Sequence, residues 1–369
     1  MDFSYTEEQQ MLQESVLKFV QNQYDFATRN QIIASDDGYS KEYWSLFAEL
    51  GWLTVPFDEA DGGFGGCAVD MVVMMEEFGK AMLVEPFAGT AILAGRLISE
   101  LAEGEARAAL IGQIMEGGLQ VSLAYAEAGS RFNAASVRTT AKVDGDNVII
   151  SGTKVAVLSG SGTDKLLVVA RESGGDTDRS GISVFLVDAN ADGVTMHTYA
   201  NVDGKSASEI RLSNVTVPSS ARIGVVGGAI EALESAIDRA TLASAAEALG
   251  AMESLLKKTV EYSKTRKQFG TAIGTFQALQ HRMADMFIEC QLARSIVVMA
   301  AMKMDSGEST SEKAKAVSAA KSRVGKAINK VGPEAVQIHG GIGTTEELDV
   351  GHLFKCVTAL EMQYGNTDY

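Results

Sequence analysis

Basic residues, cysteine, histidine and long apolar runs are all scarce in this sequence. Lys and Arg number 32 against 48 Asp and Glu, a formal net charge of −16. A chain that acidic lacks the basic surface that nonspecific nucleic-acid binding requires. No run of eighteen apolar residues occurs, and Asp2, Glu7 and Glu8 are the opposite of a basic signal-peptide start. The expectation is a cytoplasmic protein with no membrane or nucleic-acid partner. The 3 cysteines, Cys67, Cys290 and Cys356, are scattered and odd in number, as reduced thiols would be. The 4 histidines, His197, His281, His339 and His352, are too dispersed for a metal cluster, so no metal is expected.

What is present is length and pattern. A chain of 369 residues can build two or three cores. Thr6-Glu7-Glu8-Gln9 reads as a capping box, followed by Met11, Leu12, Val16, Phe19 and Val20 at helical spacing. Further helices are expected over 41–50, 69–82, 90–101 and 105–115. The glycine-rich loop 56–66 has neither the Lys-Ser/Thr of a P-loop nor the strand context of a dinucleotide turn. From Leu119 the period becomes alternating, predicting strands at 121–125, 136–143, 147–151, 165–170, 182–187, 194–200 and 208–212. Asp144-Gly145 is the expected hairpin turn. No crossover helices separate these strands, which predicts an antiparallel sheet. After Gly227 the helical period returns, with one long helix over 229–266. The predicted class is α+β: a helical domain over 1–118, a β domain over 119–227, and a helical bundle over 228–369.

The stretch Val260–Met286 reads as two helices meeting at a corner. The first is expected to end at Phe269-Gly270, with glycine in the left-handed cap. The second should start at Thr275 as N-cap, with Phe276, Leu279, Met283 and Met286 forming its apolar stripe. Arg266 at such a corner suits the helix dipole or grips a diphosphate, and the residues alone leave both open. As a whole, R-K-Q-F-G followed by F-Q-x-L-Q-H-R-x-A-D-M resembles the helical hairpin of the acyl-CoA dehydrogenase family. The opening F-x-x-T-E-E-Q, then G-W-L-x-V-P and G-G-F-G-G, resemble that family's N-terminal domain, so the likeness spans essentially the full chain.

The resemblance implies FAD as cofactor and an acyl-CoA thioester as substrate. It places Arg266 and Phe269 against the FAD of a neighbouring subunit, with Gln268, Phe276 and Gln277 nearby. Ala335–Gly343 resembles the family's Q-x-x-G-G-x-G turn, which makes Gln337, Gly340 and Gly341 cofactor contacts. Ala126–Ser130 lies where the family has T-E-P-G-x-G-S, and Lys154–Gly160 where it has K-x-W-I-T-N-G. Flavin contacts from Ser130, Leu158 and Ser159 follow. This third segment departs from the pattern: Ala156 and Leu158 stand at the aromatic and threonine positions, and Ala128 at the proline.

The family's reaction needs a carboxylate to take the α proton, and both usual positions lack one. Tyr364 stands at the C-terminal position and Ala240 at the alternative one on the long helix. A phenol titrates near pH 10 and is a poor base at neutrality. Glu247, seven residues past Ala240 on the same helix face, is the candidate base. Its A-E-A-L-G-A-M context resembles small subunits of bacterial pimeloyl-CoA and steroid acyl-CoA dehydrogenases. The resemblance therefore implies a homo- or hetero-oligomer, a dimer of dimers, passing electrons to an electron-transfer flavoprotein. Two other readings stay open: a non-catalytic subunit that shares FAD at an interface, and a flavin oxidase on the same scaffold.

Overall fold

The computed structural model describes residues 5–159 and 161–369; the expectations that fell on Asp2, Phe3 and Gly160 lie outside them. The chain runs helices, then a sheet, then helices. First come α1 (Glu7–Gln23), α2 (Phe26–Ile33), α3 (Lys41–Glu49), α4 (Ala68–Ala81), a π-helical turn (Ala88–Ala94), α5 (Gly95–Leu101) and α6 (Gly104–Met115). The strands follow: β1 (Val121–Ala124), β2 (Thr140–Asp144), β3 (Asn147–Leu158), β4 (Lys165–Arg171), β5 (Ile182–Asp188), β6 (Val194–Ala200), β7 (Ser206–Pro218) and β8 (Arg222–Ile223). Then α7 (Ile230–Thr265), the short β9 (Lys267–Gln268) and β10 (Thr271–Ala272), α8 (Gln277–Met304), α9 (Thr310–His339) and α10 (Asp349–Met362) complete it.

Two compact units form. One takes the chain up to Ile32, Cys67–Leu83 and Thr241–Tyr369; the other takes Ile33–Gly66 and Val84–Ala240. The division falls within α7.

In the first unit α8, α9 and α10 pack in series, and α4 packs against α1 and α8. The capping box opens α1 as expected: Thr6 Oγ1 accepts from Gln9 N at 3.2 Å and Gln9 Oε1 from Thr6 N at 3.1 Å. Helices α4 and α7 touch backbone to backbone. A Cβ built on Gly79 would lie 1.9 Å from the Glu247 carbonyl oxygen, and one on Gly250 would lie 1.9 Å from that of Glu76. Only hydrogen fits at either position. Beside this crossing Glu76 is fully buried, and burial pushes its carboxyl up to about 7; Arg294 pulls against that and Glu253 adds to it. Arg294 Nη2 spans Glu253 Oε1 at 2.6 Å and Glu76 Oε2 at 3.0 Å, so one guanidinium serves two carboxylates.

In the second unit the strand order is β6-β7-β3-β2-β4-β5-β8, with β1 on β4. Alternating residues close one face as a core of Val148, Ile150, Leu166, Val168, Phe185, Ile210 and Val215. The hairpin β2–β3 turns at Gly145, with Asp144 opposite Asn147. The expectation of a purely antiparallel sheet fails at β4: β1 pairs it in parallel, Val121 opposite Lys165 through Ala124 opposite Val168, and β2 meets it in parallel at Thr140 opposite Arg171. A parallel pair needs a long crossover, and here the β2–β3 hairpin serves as one in place of a helix. Two strands also run longer than the alternation predicted. β3 continues to Leu158 through a register shift between Lys154 and Val157, and β7 spans Ser206–Pro218. The helix predicted over 90–101 is regular only from Gly95, because Ala88–Ala94 takes π-helical turns.

Candidate active site

Helix α7 ends at Thr265, five residues before the expected glycine cap at Gly270. Arg266 N still donates to Tyr262 O at 2.9 Å, after which β9 and β10 pair as a miniature hairpin, Gln268 opposite Thr271. Its two turn residues are Phe269 at φ 54° and Gly270 at φ 83°. Both left-handed values make this the turn whose twist suits a two-residue hairpin, a place normally given to Asn-Gly. An aromatic there costs about 1–2 kcal/mol. Phe269 is also 93% exposed, its ring edge-on to Phe276 at 6.1 Å. A strained, solvent-facing aromatic is unfavourable for the isolated chain on both counts. Thr275 is not the N-cap expected from the sequence; it lies in a 3₁₀ turn, its hydroxyl donating to Ala272 O at 2.7 Å, and Phe276 takes the cap position. Phe276 is thereby exposed rather than part of the buried stripe, which keeps Met283 and Met286. Arg266, Gln268 and Gln277 are exposed, and the Gln268 amide donates to Lys267 O at 2.9 Å.

The glycine turn meets this corner. Tyr262 stacks on His339 at 4.4 Å between ring centroids, and its hydroxyl donates to His339 O at 3.3 Å. That contact ties the last turn of α7 to the last turn of α9, one helical turn from Arg266 on one side and two residues from Gln337 on the other. His339 is a structural residue: burial holds its imidazole below the usual range, and Nδ1 bonds Ala335 O at 2.8 Å. Gln337 is exposed, and a Cβ built on Gly340 or Gly341 would meet nothing within 4 Å. The backbone at this turn is open to a ligand. The structure therefore brings Arg266, Gln268, Phe269, Phe276, Gln277, Gln337, Gly340 and Gly341 to one end of the first unit.

Ser130, Leu158 and Ser159 lie in the second unit. Ser130 is buried, its hydroxyl donating to Glu127 O at 2.8 Å. Leu158 and Ser159 are half-buried at the end of β3, beyond a bulge where Ala156 has φ 52°, with Ser159 itself at φ 59°. Bulges of this kind re-aim a strand end and are common beside functional sites. Ser159 Oγ would be 2.9 Å from a Cβ on Gly89, so the π-helical turn lies against the same strand end. The two motif loops are joined by a pair that the sequence reading quoted without assigning a role. Lys154 is fully buried and donates to Glu127 Oε1 at 2.7 Å and Tyr125 O at 3.2 Å. Burial pushes its ammonium down to about 8 against the pull of Glu127. Burial works to raise the Glu127 carboxyl, but Lys154 and the Thr139 N–H together hold it below the usual range.

Glu247 is 2% exposed, on α7 among Ala243, Ala246 and Ala248. It interacts electrostatically with Lys321 of α9, which is 6% exposed and interacts more strongly with Glu361. Tyr364 follows α10 with φ 57°, and Gly365 with φ 130°, so the C-terminal segment turns sharply at the position where the sequence reading looked for a base. Lys321 was missed because α9 carries several exposed lysines. Its signal is positional: it falls in the apolar stripe Val317, Val324, Ile328, where a charge is out of place.

Three family models match in succession: acyl-CoA dehydrogenase N-terminal domain over 6–118, middle domain over 122–215 and C-terminal domain over 223–369. The chain belongs to the acyl-CoA dehydrogenase family. It is 28% identical to the probable acyl-CoA dehydrogenase YngJ of Bacillus subtilis, covering 100% of this chain and 97% of that one. It is 27% identical to the caffeyl-CoA reductase–Etf complex subunit CarC of Acetobacterium woodii, over 95% of this chain and 93% of the relative. A solved chain of the ChsE4–ChsE5 complex from Mycobacterium tuberculosis superposes with a TM-score of 0.88 at 25% identity, covering 100% and 96%. Membership makes the protein an FAD-dependent oxidoreductase of the acyl-CoA dehydrogenase type. The residues fit that cofactor: a free-standing guanidinium suits a diphosphate, and open glycine backbone suits close approach. Among the described residues no helix is long and apolar enough to cross a membrane.

Proposed function

We propose that this chain removes hydrogens from the α and β carbons of an acyl-CoA thioester, with Glu247 as the base and with its corner serving a cofactor held by another subunit. The observation that carries the cofactor half is the end of α7 and α9. Phe269 is strained and exposed, Arg266 stands beside it, and Gly340-Gly341 leave open backbone. A monomer gains nothing from that arrangement; a neighbour's dinucleotide makes use of all of it. Bound FAD supplies the hydride acceptor that no side chain can provide. Arg266 and Gln337 hold its polar parts, and Phe269 covers it from water. In the second unit Ser130, Leu158 and Ser159 line the flavin, their loops fixed by the Glu127–Lys154 pair.

The chain's own chemical task is the α proton. Glu247 sits in apolar surroundings, which suit work on a desolvated acyl chain, and it is the carboxylate on the helix face that includes Ala240. Tyr364 fills space, and the backbone N–H at the turn, not the phenol, meets the thioester oxygen as negative charge develops there. Electrons leave to an electron-transfer flavoprotein, and the assembly pairs this chain with a second one. The names of CarC, from an Etf complex, and of the ChsE4–ChsE5 pair support that part. The division 1–118, 119–227 and 228–369 describes the working parts.

Loss of a positioned base costs about 10² to 10⁴ in rate. Stopped-flow reduction of the holoenzyme by acyl-CoA is expected to slow by that range in Glu247→Gln, with FAD content unchanged, and to change far less in Tyr364→Phe. A second reading has its own observation. Glu247 interacts electrostatically with a buried lysine, Lys321, as a purely structural glutamate would. A Glu247→Gln enzyme that reduces flavin at the parent rate would favour it, and the chain would then be an FAD-sharing subunit whose partner carries the base.

A further inference from the structure

Lys321 is placed where three elements converge. Its ammonium donates to the carbonyl oxygen of Leu360, in the last turn of α10. Ser244 of α7 donates to the same oxygen at 3.4 Å. Glu361, the next residue, accepts from Thr367 N at 2.9 Å and from Thr367 Oγ1 at 2.8 Å, folding the C-terminal segment back. One turn along α9, a Cβ on Gly325 would fall 2.1 Å from Thr367 Oγ1. The Lys321–Gly325 face of α9 therefore holds Leu360 and Thr367, which lie on either side of the Tyr364-Gly365 turn.

The charged groups facing Lys321 are Glu247 from α7 and Glu361 from α10. From α4, Gly79 packs against the main-chain carbonyl of Glu247. One cation thus serves two carboxylates. Glu361 has two donors from Thr367, and Lys321 interacts electrostatically with Glu247 as well.

We propose that Lys321 is a positioning residue, which locks the end of α10 to α9 and, through the carbonyl it shares with Ser244, holds the α7 face that carries Glu247 one turn further on. The part concerning Glu247 rests on its assignment as the base; the lock on α10 does not. Burial pushes Lys321 down to about 8 while both carboxylates pull it up, so the group is held charged at neutral pH against a real desolvation cost.

The test uses the holoenzyme, with its partner chain if one is required, and compares Lys321→Met, Lys321→Gln and Lys321→Arg. Amide hydrogen exchange over 360–369 is expected to quicken at least about 10-fold in Lys321→Met, with the middle of α8 unchanged. The acid limb of the pH profile for flavin reduction should move up, because removing a neighbouring cation makes a carboxylate harder to ionise. Lys321→Arg should restore both. Lys321→Gln keeps a donor for Leu360 and removes only the charge, so it should move the pH limb alone, and it serves if Lys321→Met does not fold. Unchanged exchange over 360–369 in Lys321→Met would overturn the lock. Faster exchange with an unmoved pH limb would overturn the link to Glu247. The separate Glu247→Gln result shows whether the base assignment itself has failed.

Discussion

Gly79→Ala is the sharpest structural perturbation that the fold offers. The new methyl carbon would sit 1.9 Å from Glu247 O and 2.7 Å from Glu247 C. Both are backbone atoms in the middle of a 36-residue helix, so no side chain can swing aside. Bringing the closest contact merely to 3.0 Å requires α4 and α7 to part by more than about 1 Å along that line. Overpacking of this kind costs about 1–3 kcal/mol or more, and the strain here falls on main chain, so the upper end applies. Alanine returns about 1 kcal/mol through its helix propensity. The net loss should be at least about 2 kcal/mol, read as a lower urea midpoint with an unchanged slope. Gly250→Ala meets Glu76 O at the same 1.9 Å and should behave alike. Because both strain one crossing, the double variant should lose less than the sum of the two. Glu247 rides on the displaced backbone, so flavin reduction should fall as well. A Gly79→Ala protein within about 0.5 kcal/mol of the parent would refute the backbone contact on which this reasoning stands.

Other consequences are equally direct. Arg266→Ala should leave the fold and melting temperature intact, since Arg266 is exposed, yet lower the FAD retained through gel filtration; full flavin occupancy would count against the diphosphate contact. Glu76 supplies a pH test. Its folded-state value of about 7 lies above the ordinary 4.5, so the stability it contributes is fully present below about pH 4.5 and is lost as pH rises through 7. Glu76→Gln should remove that slope. The melting temperatures of variant and parent, compared at pH 5 and pH 8, should therefore diverge in favour of the variant at the higher pH; a constant difference would place the cost elsewhere.

Much of this was legible because the periods are long and unbroken. The apolar spacing of α7 predicted 229–266, and the helix runs Ile230–Thr265. The capping box at Thr6 and the turn at Gly145 were found from residue chemistry alone. What escaped has identifiable causes. No propensity favours phenylalanine in a left-handed turn, so the hairpin at Phe269 could not be read locally; misfits of this kind gather where function constrains the chain. The parallel pairing of β1 with β4 spans forty residues of intervening chain and leaves no mark on alternation. The Glu127–Lys154 ion pair and the Lys321–Leu360 hydrogen bond join residues far apart in sequence, and only folding shows which group meets which. The positions of Arg266, Phe269 and Gln337 were set by family resemblance, and the structure adds the Tyr262–His339 stack that holds the two segments together.

The central claim is that this chain takes part in flavin reduction by an acyl-CoA thioester. The direct measurement is the visible absorbance of the purified holoprotein under anaerobic acyl-CoA titration, first alone and then with a second chain of the same family as partner. Bleaching of the bound flavin, stoichiometric with acyl-CoA and slowed about 10² to 10⁴-fold by Glu247→Gln, is the predicted result. A flavin that stays oxidised under every acyl-CoA tried, with and without the partner, would contradict the account.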